Sequence, residues 1–140
     1  MSEFVVDSSV ALKWAISETL QSEALKLREE FRAGIHSLIA PDIFTFEVGH
    51  VLSKLHRTHK LTEQEADAAL AEILTSFPDL RESMPLFPRA FELSLQTRAS
   101  LWDCTYLALS EPSGAPLVTA DERLIRNLGA PSNIIHLSKL

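Results

Sequence analysis

The sequence predicts an α/β fold in which helices flank a mainly parallel sheet of four to five strands. Two observations support this prediction. Short apolar runs rich in β-branched residues alternate with amphipathic helical patterns, and the connections between them are short. A length of 140 residues is typical of one domain, so we expect residues 1–140 to form a single unit.

The first part of the chain is predicted to hold two strands and four helices. The run Glu3–Val6 is β-branched and aromatic and ends at Asp7, and a helix is expected directly after it. Thr62 and Glu65 have the spacing of a capping box, which opens a helix ending near Pro78. The other patterns of this part predict a helix at 18–33, a strand at 36–40 and a helix at 43–59. Because no strand separates the last two helices, residues 43–76 are expected to form a helical hairpin.

The second part of the chain continues the alternation. A strand is expected within 80–86, and a helix begins at Pro88 and ends near Ala99. Residues 102–110 are apolar almost all round after Asp103, which indicates a buried helix. The remaining patterns predict a strand at 116–119, a helix at 121–128 closed by Gly129, and a last strand at 133–137.

The composition excludes several classes of protein. Hydrophobic residues make up 46% and charged residues 23%, which are globular proportions rather than those of a disordered chain. No uncharged apolar run approaches the ~18 residues of a membrane helix, and the first ten residues contain no basic n-region of a secretory signal. The one cysteine, Cys104, cannot form an internal disulfide. We therefore expect a soluble, cytoplasmic protein with no membrane partner.

The net charge bears on the choice of partner. Nineteen acidic residues against thirteen Lys and Arg give a charge of −6. Proteins that hold nucleic acid mainly by its phosphates are usually basic, so this balance taken alone argues against a nucleic-acid ligand. It does not exclude a protein whose acids are concentrated at one metal site.

Four acidic residues occupy positions from which their side chains can converge. Asp7 ends the first strand, Asp121 follows the strand at 116–119, and Asp103 opens the buried helix. Open α/β sheets bind ligands beyond the carboxyl ends of their strands, so Asp7 and Asp121 meet there if their strands are neighbours. Glu47 lies about 60° from the centre of the apolar stripe of its helix, at ~100° per residue.

Each acid also has a structural alternative. The three aspartates are good helix N-caps, and Glu47 can reach solvent or pair with Lys54 or His50. Converging carboxylates, however, repel one another and persist only with cations between them. Oxygen ligands without histidine or cysteine select Mg²⁺ or Mn²⁺, which serve phosphoryl chemistry. Without the four acids the net charge of −6 becomes −2, which weakens the objection to a nucleic-acid substrate.

Four segments of the chain resemble the signature blocks of PIN-domain ribonucleases, and most closely those of VapC-like toxins from bacterial toxin–antitoxin pairs. The segments are VVDSSVALKW at 5–14, PDIFTFEVGHVL at 41–52, LWDCTYLALS at 101–110 and LVTADERL at 117–124. The resemblance extends over essentially the whole chain. It implies a three-layer PIN-like α/β domain, usually a homodimer, that hydrolyses RNA with one or two Mg²⁺ or Mn²⁺ ions and leaves 5′-phosphate and 3′-hydroxyl ends. It also implies a cognate VapB-like antitoxin as partner.

The resemblance assigns roles to particular residues. The metal-binding, catalytic carboxylates are Asp7, Glu47, Asp103 and Asp121. Ser9 and Thr119 match small polar positions that support the metal or the scissile phosphate. Three basic residues near the acidic blocks are candidates for RNA phosphate contacts or for solvated helix faces, namely Lys13, Arg123 and Arg126.

Several aromatic residues and the one cysteine are expected to pack in the interior. Trp102 is interpreted as a packing residue and Cys104 as a small core residue. Four phenylalanines are expected in the core, with an antitoxin-binding groove as the alternative for a few of them: Phe44, Phe46, Phe87 and Phe91.

Rival functions fit the same fold less well. An aspartyl-phosphate phosphatase needs a second aspartate two residues after Asp7, where this chain has Ser9. A receiver domain needs an adjacent acidic pair after the first strand, and Asp7 stands alone there. The alternative that stays open is a catalytically silent PIN-fold module that binds RNA or a partner protein.

Overall fold

A five-stranded sheet with all neighbouring strands parallel forms the centre of the computed structural model, which describes residues 2–129 and 133–140. The strands are β1 (Ser2–Val6), β2 (His36–Pro41), β3 (Asp79–Arg81), β4 (Leu117–Thr119) and β5 (Ile134–His136). Their order across the sheet is β3-β2-β1-β4-β5. The prediction of a mainly parallel sheet of four to five strands is confirmed.

Helices cover both faces of this sheet. Within the described ranges they are α1 (Ser8–Leu12), α2 (Gln21–Arg32), α3 (Ile43–Arg57), α4 (Glu63–Leu74), α5 (Phe87–Gln96), α6 (Leu101–Ser113) and α7 (Glu122–Asn127). Right-handed crossovers between parallel strands place α1–α4 on one face and α5–α7 on the other. The packing agrees, because α3 and α4 contact each other and α1, whereas α5 packs on α6. The three layers and the hairpin of α3 and α4 are as predicted.

One apolar core joins the three layers. Inward-facing residues of the central strands are fully buried, for example Val5, Leu38 and Leu117. Helix α6 is buried over the whole run 104–110, which confirms the interpretation of an all-round apolar helix and of Cys104 as a core residue. No helix in the described part of the chain combines the length and the apolar character needed to cross a bilayer.

Local capping signals explain several helix ends. Thr62 and Glu65 form the predicted capping box, with the Thr62 side chain accepting from the Glu65 backbone and the Glu65 side chain accepting from the Thr62 backbone. Gly34 and Gly129 follow α2 and α7 with φ of +76° and +77°, a left-handed conformation that glycine adopts without strain.

The structure corrects some of the predicted boundaries. The strand expected within 80–86 is limited to β3, and a 3₁₀ turn at Met84–Leu86 replaces the rest, because Pro85 lacks the N–H that a strand ladder needs. Helix α5 ends three residues before Ala99, where Thr97 is extended. Helix α2 begins three residues after position 18, because Leu20 has φ +63°.

Candidate active site

The candidate site lies at the carboxyl end of the sheet, between β1 and β4. These strands pair in parallel through Val5–Leu117 and Val6–Val118. In the strand order, β2 and β3 lie to one side of β1, whereas β4 and β5 lie to the other. The crevice between β1 and β4 is therefore the point at which strand order reverses, where open α/β sheets bind ligands. Because β1 and β4 are neighbours, the loops that carry Asp7 and Asp121 lie next to each other, as the sequence analysis required.

Three donors hold the carboxylate of Asp7, a residue that is 5% exposed. Its Oδ1 accepts from the backbone N of Ser9 at 3.0 Å and from Ser9 Oγ at 2.5 Å, and its Oδ2 accepts from Thr119 Oγ1 at 2.5 Å. Because these donors come from opposite ends of the sequence, the orientation of Asp7 depends on the pairing of β1 with β4.

The two hydroxyl groups also connect the loops. Ser9 Oγ accepts from the backbone N of Ala120 at 3.0 Å, and Thr119 Oγ1 accepts from the backbone N of Asp121 at 3.0 Å. Ser9 and Thr119 thus fix the chain around both aspartates.

The four acids share one electrostatic environment. Burial raises the pKa of Asp7 to about 6, and the charge of Asp103 adds to the rise, against the lowering effect of the Ser9 and Thr119 hydrogen bonds. Burial raises the pKa of Glu47 to about 7, to which the charges of Asp7 and Asp103 contribute. Burial and the charge of Asp121 likewise raise the pKa of Asp103. Asp7, Glu47 and Asp103 thus come from separate segments and all have raised pKa values, and the charge of Asp121 contributes to the rise at Asp103.

Glu47 reaches this environment from α3 and is half-buried. Its Oε1 accepts a hydrogen bond of 2.5 Å from the hydroxyl of Tyr106, which lowers the pKa of Glu47 against the effect of burial. The partners considered from the sequence were Lys54 and His50, and the partner in the structure is Tyr106. A signal was present in the sequence, because Tyr106 follows Asp103 by three residues on α6 and so shares its face.

The N-cap alternative applies to two of the three aspartates. Asp7 caps α1, and Asp121 caps α7 through Oδ1, which accepts from the backbone N of Arg123 at 3.0 Å. Asp103 is no cap, because the cap of α6 is Ser100, whose hydroxyl accepts from the backbone N of Asp103 at 3.1 Å. Asp103 lies in the first turn of α6, where an acid interacts favourably with the helix dipole, but it does not cap the helix.

The three basic candidates differ in their surroundings. The Lys13 side chain is 9% exposed, and its Nζ lies 3.3 Å from Glu18, so a neighbouring carboxylate already neutralises its charge. Arg123 is exposed on α7, and its charge lowers the pKa of Asp103. Arg126 is exposed one turn further along the same helix.

Two aromatic residues that were expected to pack are exposed and line a groove beside the acids. Phe44 is fully buried as expected, but Phe46 is 83% exposed and Trp102 58% exposed, and both line a groove of about 580 Å³ together with Glu47. The sequence failed here because a helical pattern defines an apolar stripe but not how much of its edge a neighbouring element covers.

Most of the chain matches the model of a known protein family. The family model described as "PIN domain" matches residues 4–129. The chain belongs to the PIN domain family. The match confirms the resemblance of the four sequence segments to PIN domain proteins.

Other members of the family span the same length. The chain is 32% identical to Ribonuclease VapC1 of Mycobacterium tuberculosis over 136 residues, which cover 96% of this PIN domain chain and 97% of the relative. A crystal structure from Pyrobaculum aerophilum has a TM-score of 0.71 at 23% identity and covers 98% of this chain and 92% of its own. A chain of a toxin–antitoxin complex from Klebsiella pneumoniae has a TM-score of 0.61 at 14% identity, with coverage of 98% and 99%. The two structures support the fold.

The donor set of this PIN domain fits a hard divalent cation by its chemistry. Every candidate ligand is a carboxylate oxygen, and the raised pKa values of three of the acids reflect burial and negative charge that a cation would offset. Within residues 2–129 and 133–140, no three His, Cys, Asp or Glu side chains are grouped closely enough to hold an ion as they are placed.

Proposed function

We propose that this PIN domain is a divalent-metal-dependent endoribonuclease and the toxin of a toxin–antitoxin pair. The observation that carries the proposal is the electrostatic coupling of Asp7, Glu47, Asp103 and Asp121, which come from four separate segments. A relative that is 32% identical over almost its whole length is named a ribonuclease. Buried, mutually repelling acids are costly for stability, so their presence favours a functional role over a structural one.

The four carboxylates are the proposed ligands of one or two Mg²⁺ or Mn²⁺ ions. When bound, such an ion polarises the scissile phosphate and screens the charge that develops on it. The side chains of Ser9 and Thr119 hold one of these four carboxylates, that of Asp7, in a fixed orientation. Thr119 also fixes the loop that carries Asp121.

Glu47 is the proposed acceptor of the proton from the attacking water. In the metal-free protein burial raises the pKa of Glu47 to about 7, and a cation bound at Glu47 would lower it, so Glu47 serves as the base where it is not itself a ligand. The hydroxyl of Tyr106 donates to Oε1, so Oε2 is the proposed acceptor of the proton. In-line attack forms a bond from the water oxygen to phosphorus and breaks the bond from phosphorus to the 3′ oxygen. The departing 3′ oxygen takes a proton from solvent and Glu47 returns its proton to solvent, which leaves 5′-phosphate and 3′-hydroxyl ends.

RNA reaches the site beside α7 in this proposal. Arg123 and Arg126 are exposed on one side of that helix and offer phosphate contacts next to the acids. Lys13 is a weaker candidate, because Glu18 matches its charge.

We further propose an antitoxin and a second copy of the chain as protein partners. A solved structure with the same fold is described as a toxin–antitoxin complex. The apolar stripe of α5, formed by Phe87, Phe91 and Leu95, is at least 49% exposed at every position and is the proposed dimer face. Phe87 and Phe91 were expected in the core, and an exposed stripe at i, i+4, i+8 spacing instead presents a continuous surface to a partner.

The second candidate function is a catalytically silent module that binds RNA or protein through the same fold. The side-chain placement favours this candidate on one point, since no three potential ligands in the described ranges are grouped around a common centre. Metal-dependent cleavage separates the two functions.

The test is an incubation of purified protein with a 3′-labelled structured RNA that carries a 5′-hydroxyl, in MnCl₂ or in EDTA. We expect cleavage with Mn²⁺ only, products sensitive to a 5′-phosphate-dependent exonuclease, and loss of cleavage in Asp7→Asn. Asp67→Asn, an exposed aspartate on α4, is the matched control and keeps the activity. Cleavage by Asp7→Asn at the wild-type rate, or in EDTA, contradicts the proposal.

A further inference from the structure

We propose that Arg98 and Arg126 together bind one backbone phosphate of the RNA strand, in a pocket that lies beside the acids rather than among them. The proposal rests on the proposed ribonuclease function and adds a positioning site for the substrate. Its observations are a cavity lined by both arginines, the absence of ion pairs at either one within the described residues, and the connection of both segments to Asp103 and Asp121.

The pocket lies between the loop that joins α5 to α6 and the end of α7. Its volume of about 300 Å³ is at the lower limit of the ~300–1,000 Å³ typical of small-ligand sites, which is ample for a phosphate group. Arg98 comes from the loop and Arg126 from the helix, and the side chains of Gln96 and Asn127 add amide groups. None of the lining residues that the structure describes is acidic. The pocket therefore offers hydrogen-bond donors and positive charge.

Both arginines keep their charge available for a ligand. Arg28, Arg32 and Arg89 form ion pairs, whereas no ion pair in residues 2–129 and 133–140 includes Arg98 or Arg126. The net charge of the chain is −6. Two uncompensated guanidinium groups at one acid-free pocket thus create a local positive potential on an acidic protein.

Helix geometry accounts for only one of the two arginines. Arg126 lies in the last turn of α7, where a cation interacts favourably with the helix dipole. Arg98 belongs to no helix, and its backbone N donates to the carbonyl of Asn127 at 3.0 Å, which brings a second cation to the end of α7. Like charges at one pocket repel each other, and an anion between them offsets that repulsion.

The pocket is connected to two of the acids. Arg98 precedes Asp103 by five residues, and Arg126 follows Asp121 by five residues, which is about 7.5 Å along the axis of α7. Arg123 lies between these two positions on α7, and its charge lowers the pKa of Asp103. Since phosphates recur at every nucleotide, a strand whose scissile phosphate lies at the acids can place another phosphate in the pocket.

The chemistry of the lining favours a phosphate over a base. The planar guanidinium group donates two parallel hydrogen bonds to a pair of phosphate oxygens, and amide groups can donate to the remaining oxygens. Contacts to phosphate carry no sequence information but fix the register of the strand. The occupant to which we commit is an internal phosphodiester of the RNA, and free inorganic phosphate is an outcome of the test that refutes the proposal.

The salt dependence of RNA binding tests the proposal. Each phosphate neutralised on a single strand contributes about 0.7 to the slope of log Kd against log salt concentration. We use the Asp7→Asn protein, which is expected not to cleave, in MnCl₂, and follow the anisotropy of a 3′-labelled adenylate decamer between about 50 and 200 mM KCl. Replacing Arg98 and Arg126 together by glutamine should lower the slope by about 0.7 and weaken binding about tenfold.

Further variants show whether one phosphate is shared. Arg98→Gln or Arg126→Gln alone leaves one arginine on the phosphate, so each should lower the slope by less than the double variant does. Replacing both by lysine keeps both charges and should keep the slope, while affinity falls because lysine lacks the planar fork. Arg81→Gln removes the same charge from an exposed residue of β3, at the opposite edge of the sheet, and should leave the slope unchanged.

The outcomes distinguish this proposal from the ribonuclease function. An unchanged slope in the double glutamine variant overturns the phosphate site, even if the wild type cleaves RNA with Mn²⁺. A slope lowered by about 0.7 in a protein that never cleaves supports the site and contradicts the ribonuclease proposal.

Three other results overturn the phosphate site. A fall of about 1.4 in the double variant means two separate phosphates, and an equal fall in Arg81→Gln means an effect of net charge. If inorganic phosphate raises the melting temperature of the parent protein but not of the double variant, and both bind the decamer equally, the pocket takes a free anion. The same melting curves check that each variant is folded.

Discussion

Replacing Asp7 with asparagine is expected to stabilise the metal-free protein, and to do so more at high pH than at low pH. Burial raises the pKa of Asp7 from 3.8 to about 6, so the folded state binds the proton more tightly than the unfolded state does. The wild type therefore loses stability as the pH rises from about 4 to about 6, where the buried carboxyl ionises. A shift of this size corresponds to roughly 3 kcal/mol at pH 8 and about half of that at pH 5.

Asparagine removes the charge at nearly constant shape, and it also removes one acceptor, because its amide nitrogen cannot accept the hydrogen bond that Thr119 Oγ1 donates to Oδ2 of Asp7. It is as good an N-cap as aspartate, so the hydrogen bond from the backbone N of Ser9 to the cap of α1 is kept while the charge is removed. In a domain of this size about 3 kcal/mol raises the melting temperature by roughly 6–12 °C.

The measurement is thermal unfolding of wild type and Asp7→Asn in EDTA at pH 8 and pH 5, with Asp67→Asn as the control. We expect a higher melting temperature for Asp7→Asn at both pH values, and about twice the gain in stability at pH 8. Addition of Mn²⁺ should raise the melting temperature of the wild type more than that of Asp7→Asn. A variant less stable than the wild type at pH 8, or a gain independent of pH, refutes the reasoning, since Asp7 would then stabilise the fold as a charged cap.

Three further predictions follow from the site. Tyr106→Phe removes the hydrogen bond that lowers the pKa of Glu47, so the midpoint of the rise in cleavage rate with pH should move upward; an unchanged midpoint between pH 6 and 9 contradicts a base role for Glu47. Asp121→Asn keeps the cap of α7 and should keep the free energy of unfolding measured in urea, whereas Asp121→Ala loses the cap and about 1 kcal/mol. Both variants should lose cleavage. Cleavage by Asp121→Asn would show that Asp121 serves only as a cap. Phe91→Glu places a charge in the stripe of α5 and should convert the proposed dimer to a monomer in light scattering, and a dimer that persists contradicts the assignment of this stripe as the dimer face.

Local sequence signals accounted for most of the secondary structure. The capping box at Thr62, the glycines after α2 and α7 and the all-round apolar run of α6 act within a few residues, so a single sequence reveals them. The strand expected within 80–86 failed because β3 is a short edge strand with all three residues exposed. Such a strand has no alternating burial pattern to distinguish it from a turn.

Contacts between distant segments explain what the sequence did not show at the site. The hydrogen bond from Tyr106 to Glu47 joins residues 59 positions apart, and the one from Thr119 to Asp7 joins residues 112 apart. Periodicity places Tyr106 on the same face of α6 as Asp103, but it does not pair Tyr106 with Glu47 or Thr119 with Asp7. The exposure of Phe46 and Trp102 was missed for the same reason, because both belong to patterns that normally pack in a core.

By itself the sequence determined the alternation of strands and helices, the α/β class and the positions of four acids at strand ends and on helices. Only the tertiary structure decided the strand order, and with it the neighbourhood of β1 and β4 that fixes Asp7 between Ser9 and Thr119. It also decided which aromatic rings stay at the surface. The physical reason is that propensity and capping depend on nearby residues, whereas burial, pKa and exposure depend on which distant segments pack together.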